Sequence, residues 1–318
     1  MGGKVICAGA IVADMVARSI PAIPAAGASA KTPEISLNIG GCAANAATGL
    51  ARLGRDVQLC GAVGEDDLGN YLARALAAEG VGLDLFQQKI GQRTGTTFVI
   101  NTDGEDRRFI SDTGANDCAW PEEVPSEALA DVAVLSVHAH GLSERPHVED
   151  LLRWFKDARD QGTLTVLDVI YIPGRNLLKE LEELLPYVDV FTPNDEEIRK
   201  LFGEIAPDRA LQRCLDMGVG TAVITRGENG VIWQDSDGVG DLQAPEVDEV
   251  DGTGCGDAFV AGWIDAHLDG LTIREKMMRG SLMGAAAALQ PGAIAGLPDR
   301  SQLNSMFRNN SSLLVDPS

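Results

Sequence analysis

The stretch Asp251-Gly252-Thr253-Gly254-Cys255-Gly256-Asp257, followed by the apolar run Ala258 to Leu268, gathers the residue types that hold an anion. Small residues at 252, 254 and 256 let successive backbone N–H groups converge with no side chains in the way, and a helix starting there adds the positive end of its dipole. A phosphate suits such a cradle. A carboxylate at 257 is repelled by that ligand unless it has a task of its own, and taking a proton from an attacking hydroxyl is one. Capping the helix is the other, since aspartate is among the best N-cap residues. The pattern is G-x-G-x-G-D, and G-x-x-x-x-G-K-[ST] is absent from the chain, so the usual P-loop and dinucleotide-binding readings are excluded.

Four further clusters carry polar groups in places where chemistry is expected. Gly40-Gly41-Cys42-Ala43-Ala44-Asn45, with Gly49 and Gly54 beyond, allows close backbone approach to a polyol, and Asn45 offers both donor and acceptor to its hydroxyls; tight helix packing through Ala43, Ala44, Ala46 and Ala47 explains the same residues. Asn194 and Glu197 stand three apart and share one helix face, where oxygen ligands can hold Mg²⁺ through water; an acidic first helical turn is the other account. Thr225-Arg226-Gly227 ends an apolar strand and is by itself a turn, and Asp14 follows the first strand.

In order and spacing these segments resemble the ribokinase-like (PfkB) family of carbohydrate kinases over about residues 4 to 300. Asp251 to Asp257 is similar to the family's D-T-x-G-A-G-D signature, departing from it at Gly252 and at Cys255, which puts a thiol beside the phosphate path. Neither departure removes a backbone N–H. Gly40-Gly41 with Asn45 resembles G-G-x-x-x-N, Asn194 to Glu197 resembles N-x-x-E, and Thr225 to Gly227 resembles the T-x-G that contacts nucleotide phosphates. The resemblance implies that Asp257 is the general base and that Gly254, Cys255 and Gly256 form the anion hole. It implies that Asp14, Gly40, Gly41 and Asn45 bind the acceptor, and that Asn194, Thr225, Gly227 and Gly254 bind ATP. It further implies Mg²⁺ held through Asn194 and Glu197, a potassium ion near Asp251 and the turn Gln290-Pro291-Gly292-Ala293, and a homodimer whose lids clasp each other.

The elements that must position these groups are legible as alternation. Short apolar runs at about 4–10, 57–63, 132–138, 163–168, 188–191 and 221–225 read as strands, separated by helical periods at Cys42 to Leu53, Leu68 to Glu79, His147 to Asp160, Asp195 to Phe202 and Ala206 to Met217. This predicts a doubly wound α/β domain, a mostly parallel sheet flanked by helices, spanning 1–318 as one unit. Lys31 to Ile39 alternates, and Gly95 to Ser111 reads as a hairpin around Asp103-Gly104, so a small β-sheet lid formed by about 14–40 and 94–112 is expected beside it.

At 318 residues one large domain with a small appendage is the expectation, and 45% hydrophobic with 23% charged residues is the balance of a soluble globular protein. The net charge of -21 repels polyanions, which excludes nucleic acid and anionic membrane surfaces as partners. Six cysteines without a C-x-x-C pair fit a reducing cytoplasm, and the apolar stretch Val5 to Ala10 is too short for a signal peptide or membrane span. The acceptor class is open between a sugar, a sugar acid through Arg175, a sugar phosphate through Lys31, Arg107 and Arg108, and a nucleoside stacked on Phe98 or Phe109. His138 and His140, at a strand end, face the substrate or serve the core. A binder without activity is the alternative from another class, and Asp257 argues against it.

Overall fold

The computed structural model describes residues 3–102, 108–118 and 124–314. From the N-terminus run β1 (Lys4–Gly9), β2 (Val12–Ile20), β3 (Glu34–Gly40), α1 (Cys42–Arg52), β4 (Val57–Gly64) and α2 (Asp67–Ala78). Then come β5 (Phe86–Lys89), β6 (Gly95–Thr102), β7 (Arg108–Asp112), β8 (Val132–His140), α3 (Val148–Asp160), β9 (Leu164–Val169) and α4 (Leu177–Leu184). The C-terminal part holds β10 (Val190–Phe191), α5 (Asp195–Phe202), α6 (Pro207–Asp216), β11 (Thr221–Thr225), β12 (Val231–Asp235), β13 (Gly238–Leu242), α7 (Cys255–Leu268), α8 (Ile273–Ala288) and α9 (Arg300–Asn309).

The predicted alternation is realised as a nine-stranded sheet in the order β13-β12-β11-β10-β9-β8-β1-β4-β5. It is parallel from β11 to β5, and the hairpin β12–β13 continues it antiparallel. Successive β1 side chains go to opposite cores. Val5 and Cys7 join the layer built with α1, α2, α7, α8 and α9, while Ile6 and Ala8 join the layer of α3, α4, α5 and α6. A strand buried on both faces must be apolar at nearly every position, which is why these runs were legible. The additions have weaker signals: β5 is Phe-Gln-Gln-Lys on an edge, and α8 ends in Gly-Ala-Ala-Ala-Ala with no polar face.

A separate four-stranded sheet has the order β3-β2-β6-β7, with β2 antiparallel to β3 and parallel to β6, and β6 antiparallel to β7. The alternating segment and the hairpin supply three of its strands; the Asp103-Gly104 turn lies outside the described residues. The fourth, β2, lies mostly within the expected lid range of 14–40 but was not read as a strand, because it follows β1 after only Ala10 and Ile11 and its apolar residues merge with that run. Its two faces differ. Asp14, Val16, Thr97 and Val99 are buried, whereas Ile35, Phe98 and Ile110 are 71%, 51% and 63% exposed on the other side.

Strand order reverses at β1, whose neighbours are β8 and β4, and crevices at the carboxyl ends of parallel strands are where such sheets take ligands. There β1 leads into β2, β8 ends at His140 and β9 ends at Val169. Among the described residues no helix is long and apolar enough to cross a membrane.

Candidate active site

Two helix N-termini meet at this edge, each entered through a glycine with positive φ. Gly41 caps α1 at φ 91°, and a Cβ there would stand 2.3 Å from the Ala10 carbonyl oxygen. Gly254 caps α7 at φ 76°, where a Cβ would lie 2.9 Å from the backbone of Ala293. Only glycine fits both the conformation and the space. Asp257 is the third residue of α7, and its side chain makes no capping bond. It reaches across to α1 instead, where Asn45 Nδ2 donates to its Oδ2 at 2.8 Å and the Cys42 thiol also donates to the carboxylate. Burial pushes the Asp257 carboxyl up to about 7 against the pull of those two hydrogen bonds. Asn45 Oδ1 is buried with no partner among the described residues, so it is one acceptor left for a ligand. Ala43, Ala44, Ala46 and Ala47 of α1 are fully buried, so the tight packing holds as well and fixes Asn45 in place.

Asp14 projects from β2 and is 8% exposed. Its carboxylate passes Gly40, where a Cβ would come within 2.1 Å of Oδ2, so the glycine makes room for the acid. Burial first, then the charges of Asp257 and Asp251, push Asp14 up to about 7. Asp168, near the end of β9, accepts the Ala139 N–H at 3.2 Å and is raised by burial and then by Glu197 and Asp257. His138 is 2% exposed, neither ring nitrogen has a partner among the described residues, and burial lowers it to about 3, so the ring is neutral.

On the other side of Asp257 a cavity of about 490 Å³ is lined by Thr225, Gly227, Cys255 and Gly256, with Phe259, Pro245 and Val247 among its apolar walls. A Cβ added at Gly256 would meet nothing within 4 Å, so the cradle opens directly into this space. Thr225 is bridged to Asn194. Asn194 and Glu197 form a reciprocal capping box, Asn194 Oδ1 accepting from the Glu197 N–H at 2.8 Å and Glu197 Oε2 from the Asn194 N–H at 2.9 Å. Burial carries Glu197 up to about 7 despite the Asn194 N–H. Asp251 ties two loops together, accepting from the Thr253 N–H and hydroxyl at 2.9 and 2.6 Å and from the Gly292 N–H at 2.8 Å.

The candidates from the strand ends divide. His140 Nε2 lies 2.9 Å from Glu180, which also binds Arg175, and Arg175 donates to the Ser143 carbonyl, so both are held in one hydrogen-bonded network. Lys31 and Arg108 are exposed, and Arg107 lies outside the described residues. Sequence reasoning missed Asp168. Its signal is a lone carboxylate near the carboxyl end of an otherwise apolar parallel strand, Leu-Thr-Val-Leu-Asp-Val.

Glycines opening α7 and a buried carboxylate of raised affinity for protons thus stand side by side near the switch point of a doubly wound sheet. The model of the pfkB family carbohydrate kinases matches residues 3–300, and the chain belongs to that family. It is 28% identical to the ribokinase of Lactococcus lactis subsp. lactis, over 96% of this chain and 97% of that one. It is 27% identical to the aminoimidazole riboside kinase of Salmonella typhimurium, over 86% and 88%. The fold matches the structure of Arabidopsis thaliana ribokinase complexed with ribose and ATP at a TM-score of 0.84 and 24% identity, covering 97% of this chain and 99% of that one.

Proposed function

We propose that this chain transfers the terminal phosphoryl group of ATP to a hydroxyl of a neutral sugar or sugar derivative, with Asp257 as general base. The observation that carries the reading is Asp257 itself: a carboxyl raised to about 7, aimed by Asn45 and standing beside the glycine cradle. A base with affinity for protons near the working pH both exists ionised and takes a proton readily. The N–H groups of Gly254, Cys255 and Gly256, at the positive end of α7, would stabilise charge developing on the transferred group. Asp14, Gly40, Gly41 and Asn45 would hold the acceptor. The charges that act on Asp14 are those of Asp257 and Asp251, which favours an uncharged acceptor over a sugar acid or sugar phosphate.

The apolar-walled cavity beyond Gly256 suits the nucleotide, with Asn194, Thr225 and Gly227 at its phosphate end. Mg²⁺ would neutralise phosphate charge there, and Asn194 and Glu197 fit it, since their mutual capping leaves Glu197 Oε1 to receive a metal-bound water. The Asp251 and Gly292 loops, joined by hydrogen bonds, are the place for a potassium ion; turnover unchanged on replacing potassium by sodium would remove it from the scheme. The small sheet would close over the acceptor as a lid through its Asp14 face. Its other face, a row of Leu37, Met15, Phe98 and Ile110 with Ile35 beside it, supports a homodimer through the lids. The cytoplasm remains the expected setting.

A nucleoside acceptor is the second reading, favoured by Phe109, which shares the Asp14 face of the small sheet. Phe98 is on the opposite face. The test is ADP release from Mg-ATP with a panel of aldoses, ketoses, sugar acids, sugar phosphates and nucleosides, alongside Asp257→Asn. Turnover with a neutral sugar that falls about 10²- to 10⁴-fold in the variant is expected. Full turnover by Asp257→Asn would refute the base, and binding without turnover across the panel would leave a non-catalytic regulator.

A further inference from the structure

A ring nitrogen of His138 and carboxylate oxygens of Asp168 and Asp257 lie within 4.8 Å of one another. They come from β8, β9 and α7, three elements that the fold brings to one point. His138 is 2% exposed and both its ring nitrogens lack a partner among the described residues, an expensive arrangement for a buried imidazole unless something occupies the space it faces. Asn45 and the Cys42 thiol donate to Asp257, and the N–H groups of Ala139 and Val169 donate to Asp168, so both carboxylates are held in place while lone pairs remain on each, a carboxylate having about four acceptor sites.

We infer that His138, Asp168 and Asp257 form a binding site for a divalent transition metal of the zinc class, distinct in its donor set from the oxygen ligands that suit Mg²⁺. One imidazole and two carboxylates match zinc or cobalt, whereas Mg²⁺ prefers oxygen donors and retained waters. With metal–ligand bonds of about 2.0 to 2.1 Å, tetrahedral donors stand roughly 3.3 Å apart, so side-chain rotations of about 1.5 Å or less would close the set. A metal there takes the lone pairs with which Asp257 would accept a proton, and so inhibits turnover in competition with the acceptor. That consequence rests on Asp257 being the base; the binding does not.

The full chain, stripped with a chelator and returned to millimolar Mg²⁺ without nucleotide, is titrated with Co²⁺ and read by its visible absorption, then with Zn²⁺ by calorimetry. One Co²⁺ per chain, displaced by Zn²⁺, is expected, with affinity at least tenfold weaker in His138→Ala. Asp168→Asn serves as a second variant should the first fail to fold. Absence of Co²⁺ absorption in the wild type, or equal affinity in folded variants, overturns the site. Binding that leaves the apparent KM for the acceptor unchanged upholds the site and counts against Asp257 as the base.

Discussion

Replacing Asn45 by alanine removes the one amide that donates to Asp257, at 2.8 Å and in a buried setting. Hydrogen bonds to a charged group contribute about 1.5 to 3 kcal/mol, and a shift of one pKa unit corresponds to about 1.4 kcal/mol. Loss of the bond disfavours the carboxylate, so the acid limb of the kcat/KM profile should move up by about one to two pH units from its wild-type position near 7. At pH 7 the ionised fraction of the base then falls from about one half to between roughly one tenth and one hundredth, a loss of about 5- to 50-fold by the same arithmetic. The assay is kcat/KM for the acceptor from pH 5.5 to 9.5 at saturating Mg-ATP, with a thermal melt as a control for folding. Activity should recover toward the alkaline plateau, less whatever Asn45 contributes to acceptor binding. An acid limb that stays where the wild type has it, with activity reduced equally at every pH, would refute the coupling of Asn45 to the base.

Asp257 also links stability to pH. Its folded-state carboxyl is raised from 3.8 to about 7, so the stability it contributes is fully present below the unfolded value and is lost as pH rises through about 7. The stability of the ligand-free Asp257→Asn variant relative to wild type should therefore improve by about 1.4 kcal/mol from pH 6 to pH 8 in urea titrations; a constant difference would deny the shift. Asp265, fully buried in α7, receives Arg55 at 2.6 Å and Arg279 at 2.7 Å and is also bonded by Arg300, so Asp265→Ala leaves three arginines to share the single carboxylate of Asp269. A loss of about 3 to 5 kcal/mol is expected, read as a lower urea midpoint; a loss under about 1 kcal/mol would mean the cluster is solvated. Phe98→Glu places a charge on the outer apolar face of the small sheet, and the homodimer proposed through that face requires a dimeric mass for the wild type and a monomeric one for the variant by light scattering; equal masses would refute that interface.

Local pattern was enough for the frame of this protein. Buried parallel strands must be apolar at nearly every position and their helices must show a 3.6-residue period, so six strands and the helices between them were readable one after another. The glycine-opened start of α7 was readable for the same reason: a helix beginning at Cys255 behind a positive-φ glycine at 254 is a property of a few consecutive residues. What lies around it was not. Asn45 and Asp257 are 212 positions apart, and nothing in either segment says that one amide will hold the other's carboxylate. The capping role open to Asp257 in sequence was settled by the direction of its side chain, which turns to α1 and not to its own helix terminus. His138 read as a residue at a strand end and Asp168 was passed over, until the sheet order put β8 and β9 side by side next to α7. A carboxyl raised to about 7 is likewise a result of tertiary burial, because the cost of ionisation depends on which groups exclude water from it, and those groups are drawn from elements the sequence keeps far apart.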